Sequence, residues 1–339
     1  MLEKPDIPDE KITACLRDEH GLLINQIAFL PLGADLNTAV YRALAKDGTQ
    51  YFVKVRTGNL DETMVTLPKF LSDQGIGHII NPLPTRAGQL WADLDTFKLI
   101  LYPFVEGHNA YEVSLPDRYW RDLGVVLQRI HTIKLPSALK RSIQREAYSP
   151  QWRETLKLFL ARAGNHAYDD PAAKELAAVL QARRDEIHDL VGRAERLSEA
   201  LQARAPELVL CHSDIHAGNL LIVADETFYI VDWDNPLLAY KERDLMYIGG
   251  GLMGGWRTPQ AEETLFYQGY GPTRIDPIGL AYYRYERIVQ DMAIYCEQLL
   301  LSSKGGEDRE QSLGYFLSYF VPGGTMDIAY LSDKTLNDL

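Results

Sequence analysis

The chain is poor in cysteine and contains no long apolar run. Its three cysteines, at positions 15, 211 and 296 of 339 residues, are odd in number and scattered, so they favour a reducing cytoplasm over a disulfide framework. No stretch approaches the roughly 20 apolar residues that a membrane helix requires, and the first residues lack the basic and apolar regions of a signal peptide. We therefore expect a cytoplasmic protein with no membrane partner.

Positive charge is also in short supply. Lysine and arginine number 35 against 47 aspartates and glutamates, which gives a net charge of −12. Because a nucleic-acid-binding protein needs a basic face, we expect no nucleic-acid partner. An acidic cleft raises the local concentration of cations, so the charge is compatible with a small cationic substrate, although it is equally compatible with a role in solubility alone.

One polar loop carries the strongest chemical signal in the sequence. The pattern of residues 209–223 is typical of a strand, a loop and a second strand, and the loop contains Asp214 and, five positions on, Asn219. A third predicted strand ends at Asp232. Phosphoryl transfer needs a carboxylate that orients a hydroxyl and accepts its proton, and an amide oxygen and a second carboxylate that hold Mg²⁺. We therefore predict Asp214 as the catalytic base and Asn219 and Asp232 as metal ligands; turn-forming residues in a simple hairpin are the alternative.

Two histidines flank Asp214 and, with Cys211, raise a zinc site as another alternative. The spacing of His212 and His216 does not match the H-E-x-x-H helix, and a loop between strands fixes no common face for ligands. We therefore disfavour zinc hydrolysis, and we expect His212 to hold the backbone shape of the loop by hydrogen bonding.

The order of predicted elements changes near residue 104. Before it, alternating apolar segments and an Asp-Gly turn predict a five-stranded antiparallel sheet; from about residue 117 the apolar spacing is mainly helical. This order predicts an α+β fold with an N-terminal nucleotide-binding lobe at 1–104, a hinge at 102–107 and a larger, mainly helical catalytic and substrate-binding lobe at 108–339. The predicted strands are 27–30, 40–44, 51–56, 91–95 and 97–102, and the predicted helices include 10–20, 152–164 and a broken helix at 173–204.

These features resemble the aminoglycoside phosphotransferase and choline kinase family of small-molecule kinases. Lys54, Asp214, Asn219 and Asp232 follow one another in the order and spacing of that family. The resemblance spans nearly the whole chain and implies a protein-kinase-like fold that uses Mg²⁺ and ATP, with GTP not excluded. The segments 211–220, 232–234, 241–251 and 283–289 are similar to the spectinomycin 9-phosphotransferase subgroup.

The resemblance implies that Lys54 holds the nucleotide phosphates and pairs with a helix glutamate. Lys54 lies in an otherwise apolar predicted strand, where an amine needs a counter-ion; an exposed edge-strand lysine is the alternative. Glu62 is the predicted partner, and Asp61 is the alternative. Pro68 complicates this assignment, because a proline inside a helix removes a hydrogen bond and can kink the helix.

The resemblance also places two further parts of the nucleotide site. The loop at 33–38 lacks the glycine-rich pattern of protein kinases, and the chain has no Walker A sequence, but backbone N–H groups and the side chain of Asn37 or Thr38 are suited to phosphate oxygens. The hinge residues Tyr102 and Phe104 are predicted to bind adenine. The expected donor is the amide of Phe104, because Pro103 has none.

Substrate contacts are predicted on a later helix. Tyr283 and Glu286 fall on one helical face, and Arg287 and Asp291 can form an i, i+4 pair. A carboxylate and aromatic rings suit an ammonium group; a solvated helix face with a structural ion pair is the alternative. The predicted substrate-binding residues are Tyr283, Glu286, Asp291 and Trp256, and the resemblance implies a structural role for Asp244.

The sequence therefore predicts an ATP-dependent O-phosphotransferase for a small cationic hydroxylated molecule. An aminocyclitol antibiotic of the spectinomycin type is the first choice, with direct in-line transfer and Asp214 as the base. The alternatives are a kinase for a choline-type or amino-sugar-type metabolite, a nucleotide-binding pseudokinase, and a structural or interaction protein. The sequence predicts no particular oligomeric state.

Overall fold

The computed structural model describes residues 4–32, 37–58, 60–164, 168–204, 207–224, 227–302 and 308–334. Contacts between residues divide the chain into two compact units, each assembled from separate segments. The sheet unit comprises Met1–Tyr119, Ile133–Gln144 and Ala217–Pro236, and the helical unit comprises Trp120–Thr132, Arg145–His216 and Leu237–Leu339. The predicted lobes at 1–104 and 108–339 stay a prediction.

Helices and strands are both present, which confirms the predicted α+β class. The helices are α1 Asp9–His20, α2 Thr63–Asp73, α3 Asp117–Thr132, α4 Ser137–Ser142, α5 Gln151–Arg162, α6 Pro171–Ala182, α7 Arg184–Gln202, α8 Glu242–Leu245, α9 Pro259–Tyr270, α10 Pro277–Leu300, α11 Asp308–Ser318 and α12 Thr325–Lys334. The strands are β1 Ile24–Leu30, β2 Thr38–Ala45, β3 Gln50–Thr57, β4 Ala92–Leu94, β5 Phe97–Pro103, β6 His108–Asn109, β7 Gln144–Arg145, β8 Val209–Cys211, β9 Leu220–Val223, β10 Thr227–Ile230 and β11 Leu237–Ala239.

The predicted five-stranded antiparallel sheet is confirmed. Its strand order is β1-β2-β3-β5-β4, and neighbouring strands pair antiparallel, with Lys54 opposite Val40 on one side and Ile100 on the other. Side chains alternate across a strand, so the strand that exposes part of Lys54 also buries Val53 and Val55. The buried face packs with α1 in one apolar cluster, which includes Ile12, Leu16, Tyr41, Val53, Val55, Leu99 and Leu101.

The strands on either side of the Asp214 loop belong to different sheets. The strand before the loop, β8, pairs with β11, whereas the strand after it, β9, pairs with β10 and β6. Ile79 adds an isolated parallel bridge to Ile230. The predicted strands are therefore present, but the loop connects two sheets and does not close a hairpin between adjacent strands.

Helix α10 is the centre of the helical unit. Asp276 accepts a hydrogen bond from the amide of Ile278, and Pro277 stands at the first helical position, two features that favour a helix start. Its buried residues join those of α5, α6, α7, α11 and α12 in one apolar cluster. The predicted break in the 173–204 helix is confirmed, since α6 ends at Ala182 and α7 begins at Arg184. Among the described residues, no helix is long and apolar enough to cross a membrane.

Candidate active site

A buried carboxylate, Asp244, supports the loop that carries Asp214. Asp244 is fully buried and accepts hydrogen bonds from the backbone amides of His212 at 2.9 Å and Ser213 at 2.7 Å. Its other contact is His131 Nε2, at 3.0 Å. Burial opposes ionisation of Asp244, but the hydrogen bond and charge of His131, together with His212 and the amide of Ser213, outweigh it and keep the pKa of the carboxyl below its usual range. The structure therefore supports the structural role implied for Asp244.

The same residues contain a group of potential metal ligands. His131, Cys211 and Asp244 place ligand atoms within 4.8 Å of one another. The second ring nitrogen of His131 contacts the hydroxyl of Tyr270 at 2.7 Å, and burial raises the pKa of the Cys211 thiol well above its usual value. Both ring nitrogens of His131 have protein partners, and the Cys211 thiol donates to the carbonyl of Tyr240 at 3.4 Å, so this group serves as a hydrogen-bonded support for the loop.

The backbone next to Asp214 is held in a strained conformation. Ser213 has φ of 70°, in the left-handed region that few non-glycine residues adopt. Asp244 holds the amide of Ser213, and the hydroxyl of Tyr247 lies 3.1 Å from its carbonyl oxygen. The amide of Asp214 donates to His212 Nδ1 at 3.3 Å, which confirms the role predicted for His212. Strain of this kind persists only where surrounding contacts fix it, and it concentrates at functional sites.

The carboxylate of Asp214 makes a close ion pair with Arg287 of α10. Arg287 Nη1 lies 2.6 Å from Asp214 Oδ1, and the hydroxyl of Tyr247 lies 3.1 Å from the same oxygen. Burial opposes ionisation of Asp214, but the charge of Arg287, helped by His216 and His212, outweighs it and holds the pKa of the carboxyl far below its usual range. Asp214 is therefore an anion across the pH range in which most proteins are folded.

Arg287 connects Asp214 to a second carboxylate. Its Nε donates to Asp291 Oδ2 at 2.8 Å, and the hydroxyl of Tyr319 donates to the same oxygen at 2.6 Å. The predicted i, i+4 pair of Arg287 and Asp291 is confirmed. Asp291, predicted to contact substrate, is thus the residue that holds the guanidinium beside Asp214.

The two predicted metal ligands lie together in the sheet unit. Asn219 ends a 3₁₀ turn, Ala217–Asn219, and is buried, with 8% of its surface exposed. Its carbonyl oxygen accepts a hydrogen bond from the amide of Val231 at 3.0 Å, which ties it to the residue before Asp232. Asp232 has φ of 63°, and its side chain is 47% exposed. An amide oxygen and an accessible carboxylate are hard donors that suit Mg²⁺, so the residues present fit this ion.

The ammonium of Lys54 also lies in this cluster. It contacts both oxygens of Asp234, at 2.6 and 2.8 Å, and lies 3.5 Å from Asp232. Arg56, two positions along β3, donates to the same Asp234 carboxylate at 2.9 Å. The Lys54 side chain is only 13% exposed, so its positive charge is balanced by Asp232 and Asp234 within this cluster.

The structure does not form the predicted pair between Lys54 and Glu62. Helix α2 begins at Thr63, and Glu62 stands exposed at its N-cap. Asp61, the alternative partner, accepts from the amide and hydroxyl of Thr63 at 2.9 and 2.7 Å. Asp61 and Glu62 therefore both lie at the start of α2, and the carboxylate that contacts Lys54 is that of Asp234.

The other predicted nucleotide residues have mixed outcomes. Asn37 is exposed, and its carbonyl oxygen accepts from the amide of Thr57 at 2.9 Å; Gly33, Ala34, Asp35 and Leu36 lie outside the described residues. Burial, and then the charges of Asp234 and Asp232, raise the pKa of Tyr102, so Tyr102 lies within reach of this cluster. The amide of Phe104 already donates to the carbonyl of Gln50 at 3.2 Å, because β5 continues its pairing with β3 as far as Pro103.

The predicted substrate residues on α10 lie in the interior of the helical unit. Tyr283 is fully buried, with the Arg243 guanidinium over its ring. Glu286 is 7% exposed and pairs with Arg153 at 3.0 Å; burial raises the pKa of Glu286 to about 7, against the opposing charge of Arg153. The geometry gives Tyr283 and Glu286 a structural role and does not support the substrate contact predicted for them. Trp256 is 51% exposed.

Three residues have roles in these clusters that the sequence does not predict. Local spacing pairs Arg287 only with its helical neighbour Asp291, and it indicates no role for Tyr247 or Asp234. Asp234 could have been found from its position in the Asp232-Trp233-Asp234 segment, since Trp233 is buried and its indole donates to the carbonyl of Ile230 at 3.1 Å. The contacts of Arg287 and Tyr247 with Asp214 have no signal in local spacing.

Most of the chain matches a known protein family. Residues 29–278 match the phosphotransferase enzyme family, APH. The chain belongs to this family. A curated relative, protein StrN of Streptomyces griseus, is 25% identical over 179 residues, which is 51% of this chain and 55% of that protein. The chain therefore spans about half the length of the curated relative that it matches.

Solved structures extend this family assignment over nearly the whole chain. Spectinomycin phosphotransferase APH(9)-Ia, in complex with ADP and spectinomycin, is 37% identical, with a TM-score of 0.90 over 97% of this chain and 100% of that one. Its AMP-bound complex is 36% identical, with a TM-score of 0.85 over 96% and 98% of the two chains. A choline/ethanolamine kinase family protein from Mesorhizobium loti, 14% identical with a TM-score of 0.56 over 96% and 99% of the two chains, shares the fold. The resemblance to the family and the predicted kinase-like fold are confirmed.

Proposed function

We propose that the protein is an ATP-dependent O-phosphotransferase whose acceptor is an aminocyclitol of the spectinomycin type. The observation that carries this proposal is the 37% identity, over 97% of the chain, to a phosphotransferase in complex with ADP and spectinomycin. The acidic composition, with a net charge of −12, is consistent with a cationic acceptor. Three cysteines that form no disulfide support a cytoplasmic location as part of the proposal.

The nucleotide is assigned to the sheet unit. Lys54 and Arg56 carry two positive charges on one strand, and both contact Asp234. Nucleotide phosphates would compete with Asp234 for these cations, and Tyr102 is close to the same carboxylates. Asn219 and Asp232 would hold Mg²⁺, which when bound supplies positive charge to the β- and γ-phosphates. Asn37 stays a prediction for this site, whereas Glu62 is not paired with Lys54 and the amide of Phe104 donates to the carbonyl of Gln50.

The acceptor hydroxyl is assigned to Asp214. A carboxylate with a strongly lowered pKa is a weak proton acceptor, so Asp214 first orients the hydroxyl as a hydrogen-bond acceptor and receives its proton late in the transfer. Phosphoryl transfer has a loose transition state with little need for early proton removal, and a fixed acceptor geometry supplies much of the acceleration. The Asp244 contacts and the strained Ser213 backbone support this role, because both fix the backbone that leads into Asp214.

The test is nucleotide turnover with a panel of acceptors, in which the mass of each product is measured. The panel contains spectinomycin, typical aminoglycosides, choline and amino sugars, with MgATP and MgGTP in parallel. We expect one phosphate to be added to spectinomycin, with little turnover of the others. Transfer to choline or an amino sugar alone would contradict the acceptor, and nucleotide binding without transfer to any acceptor would support a pseudokinase.

A further inference from the structure

A single guanidinium lies between two carboxylates at the base of the proposed acceptor site. Arg287 holds Asp214 through Nη1 at 2.6 Å and Asp291 through Nε at 2.8 Å. The side chain of Arg287 is 18% exposed, and those of Asp214 and Asp291 are 31% and 13% exposed. A planar fork that binds two fixed partners has little rotational freedom, so it fixes the orientation of the Asp214 carboxylate.

The partner carboxylate is itself anchored. Asp291 lies one helical turn after Arg287 on α10, and the hydroxyl of Tyr319 donates to it at 2.6 Å. The Tyr247 hydroxyl lies 3.1 Å from both Arg287 Nη1 and Asp214 Oδ1. The guanidinium is therefore held from α10, from the segment after α11 and from the turn after α8, which is more support than a surface ion pair receives.

We propose that Arg287 is a positioning residue for phosphoryl transfer, which fixes one oxygen of the Asp214 carboxylate so that the carboxylate accepts the hydrogen bond of the acceptor hydroxyl in a single orientation. This inference rests on the proposed function. Asp291 and Tyr319 act through Arg287, by holding the guanidinium in its place. This gives the partly buried Asp291 a role. Without it, the flexible side chain of Arg287 would not be fixed, and the Asp214 carboxylate that it contacts would be free to rotate.

The charged and titratable groups around Asp214 in the helical unit come from several elements. His212 and His216 lie in its own loop, Arg287 and Asp291 on α10, and Tyr247 after α8; Tyr319 follows α11 and faces Asp291. Of these, Arg287 Nη1 lies 2.6 Å from Asp214 Oδ1, and His216 Nε2 lies 3.7 Å from the same oxygen. Removal of Arg287 takes away the largest favourable charge that acts on Asp214 and leaves the weaker effects of His216 and His212, so the pKa of Asp214 must rise.

The test is the kinetics of Arg287→Ala. A reacting group displaced by about 1 Å loses about 10²-fold in rate, so we expect kcat to fall about 10²-fold while the KM for MgATP stays unchanged. Added guanidinium chloride at millimolar concentration should restore part of kcat in a saturable manner. The rate of the variant should also decline at acidic pH, where the wild-type rate does not, because its Asp214 becomes protonated there.

A matched control is Arg193→Ala. Arg193 of α7 also bridges two aspartates, Asp189 four positions earlier and Asp333 of α12, and it has no contact with the Asp214 cluster among the bonds described. We expect unchanged kcat, no response to guanidinium and an unchanged pH profile. Arg287→Lys serves as a second variant, which keeps the charge but loses the fork; its kcat should lie between those of the wild type and Arg287→Ala.

The outcomes distinguish failure of the positioning role of Arg287 from failure of the proposed phosphotransferase function. Wild-type protein that transfers phosphate while Arg287→Ala and Arg287→Lys keep full kcat would overturn the positioning role alone. A variant faster than the wild type would overturn it too, and would show that the guanidinium obstructs the acceptor. If Arg287→Ala is unfolded at the assay temperature, Arg287→Lys decides. Wild-type protein that transfers phosphate to no acceptor would overturn both proposals.

Discussion

Substitution of Asp244 by asparagine tests the support of the catalytic loop. Asp244 Oδ1 accepts the amide of Ser213, and Oδ2 accepts the amide of His212 and contacts His131. Asparagine keeps one acceptor oxygen and turns the other position into an N–H₂ donor. The orientation that keeps both Oδ2 contacts, with His212 and His131, places an N–H₂ donor against the amide of Ser213 inside the protein.

The magnitude follows from these contacts. A hydrogen bond to a charged group is worth about 1.5–3 kcal/mol, and an unsatisfied buried N–H costs about 1–3 kcal/mol. Removal of a buried charge recovers some desolvation energy, so we expect a loss of about 3 kcal/mol in the free energy of unfolding. One kcal/mol lowers the melting temperature of a domain of 150–250 residues by about 2–4 °C, which gives a decrease of roughly 6–12 °C.

The pH dependence has a definite sign. The folded-state pKa of Asp244 is lowered, so its stabilisation is present above the unfolded value of about 3.9 and is lost as the pH falls further. Calorimetric melting of wild type and Asp244→Asn should therefore differ by the same amount from pH 6 to 8, and the difference should shrink below about pH 4. The variant should also lose kcat, because Ser213 is no longer held beside Asp214.

A surface aspartate provides the control. Asp189 is 46% exposed and pairs with Arg193, and exposed pairs are worth about 0–1 kcal/mol. Asp189→Asn should therefore melt within about 4 °C of the wild type. If Asp244→Asn melted as close to the wild type as this control, the loop would not depend on Asp244 and the reasoning above would be refuted.

Two further predictions concern stability. Glu262 is 2% exposed, accepts a hydrogen bond from the amide of Gly249 at 2.9 Å and has a pKa raised by burial to about 7. Its ionisation therefore destabilises the fold as the pH rises above the unfolded-state pKa of about 4.3. Glu262→Gln should melt at a higher temperature than the wild type at pH 8 and at the same temperature at pH 4.5, and the absence of a gain at pH 8 would contradict this. A Cβ on Gly269 would lie 1.8 Å from the carbonyl oxygen of Arg121, so Gly269→Ala should lower the free energy of unfolding by at least about 2 kcal/mol. In the control Gly314→Ala, in α11, the added Cβ meets nothing within 4 Å, so the free energy of unfolding should rise by about 0.5–1 kcal/mol. Equal melting temperatures of the two variants would refute the close approach at Gly269.

Local pattern was enough to predict most elements. The strands of the sheet follow from apolar alternation and the Asp-Gly turn, and these signals act over a few residues. The Asp214 loop and the Asp232 segment were found because their residue types and spacing are themselves chemical requirements of phosphoryl transfer.

Long-range contacts could not be predicted in this way. Lys54 and Asp234 are 180 positions apart, and Arg287 and Asp214 are 73 apart, so their pairing depends on how distant elements pack. Glu286 looked available to a substrate because its helical face is polar, but Arg153 on α5 neutralises it inside the unit. A polar stripe on a helix therefore predicts either a binding face or a buried ion pair, and only the packing distinguishes them.

The most direct test of the central claim is single-turnover phosphoryl transfer by Asp214→Ala. The assay uses saturating MgATP and the acceptor that the wild type phosphorylates, and calorimetry measures the nucleotide affinity of the same protein. We predict a transfer rate lower by about 10²–10⁴-fold, the range for a positioned general base, with unchanged nucleotide affinity. A transfer rate close to that of the wild type would contradict the assignment of Asp214 and the account of the site built on it.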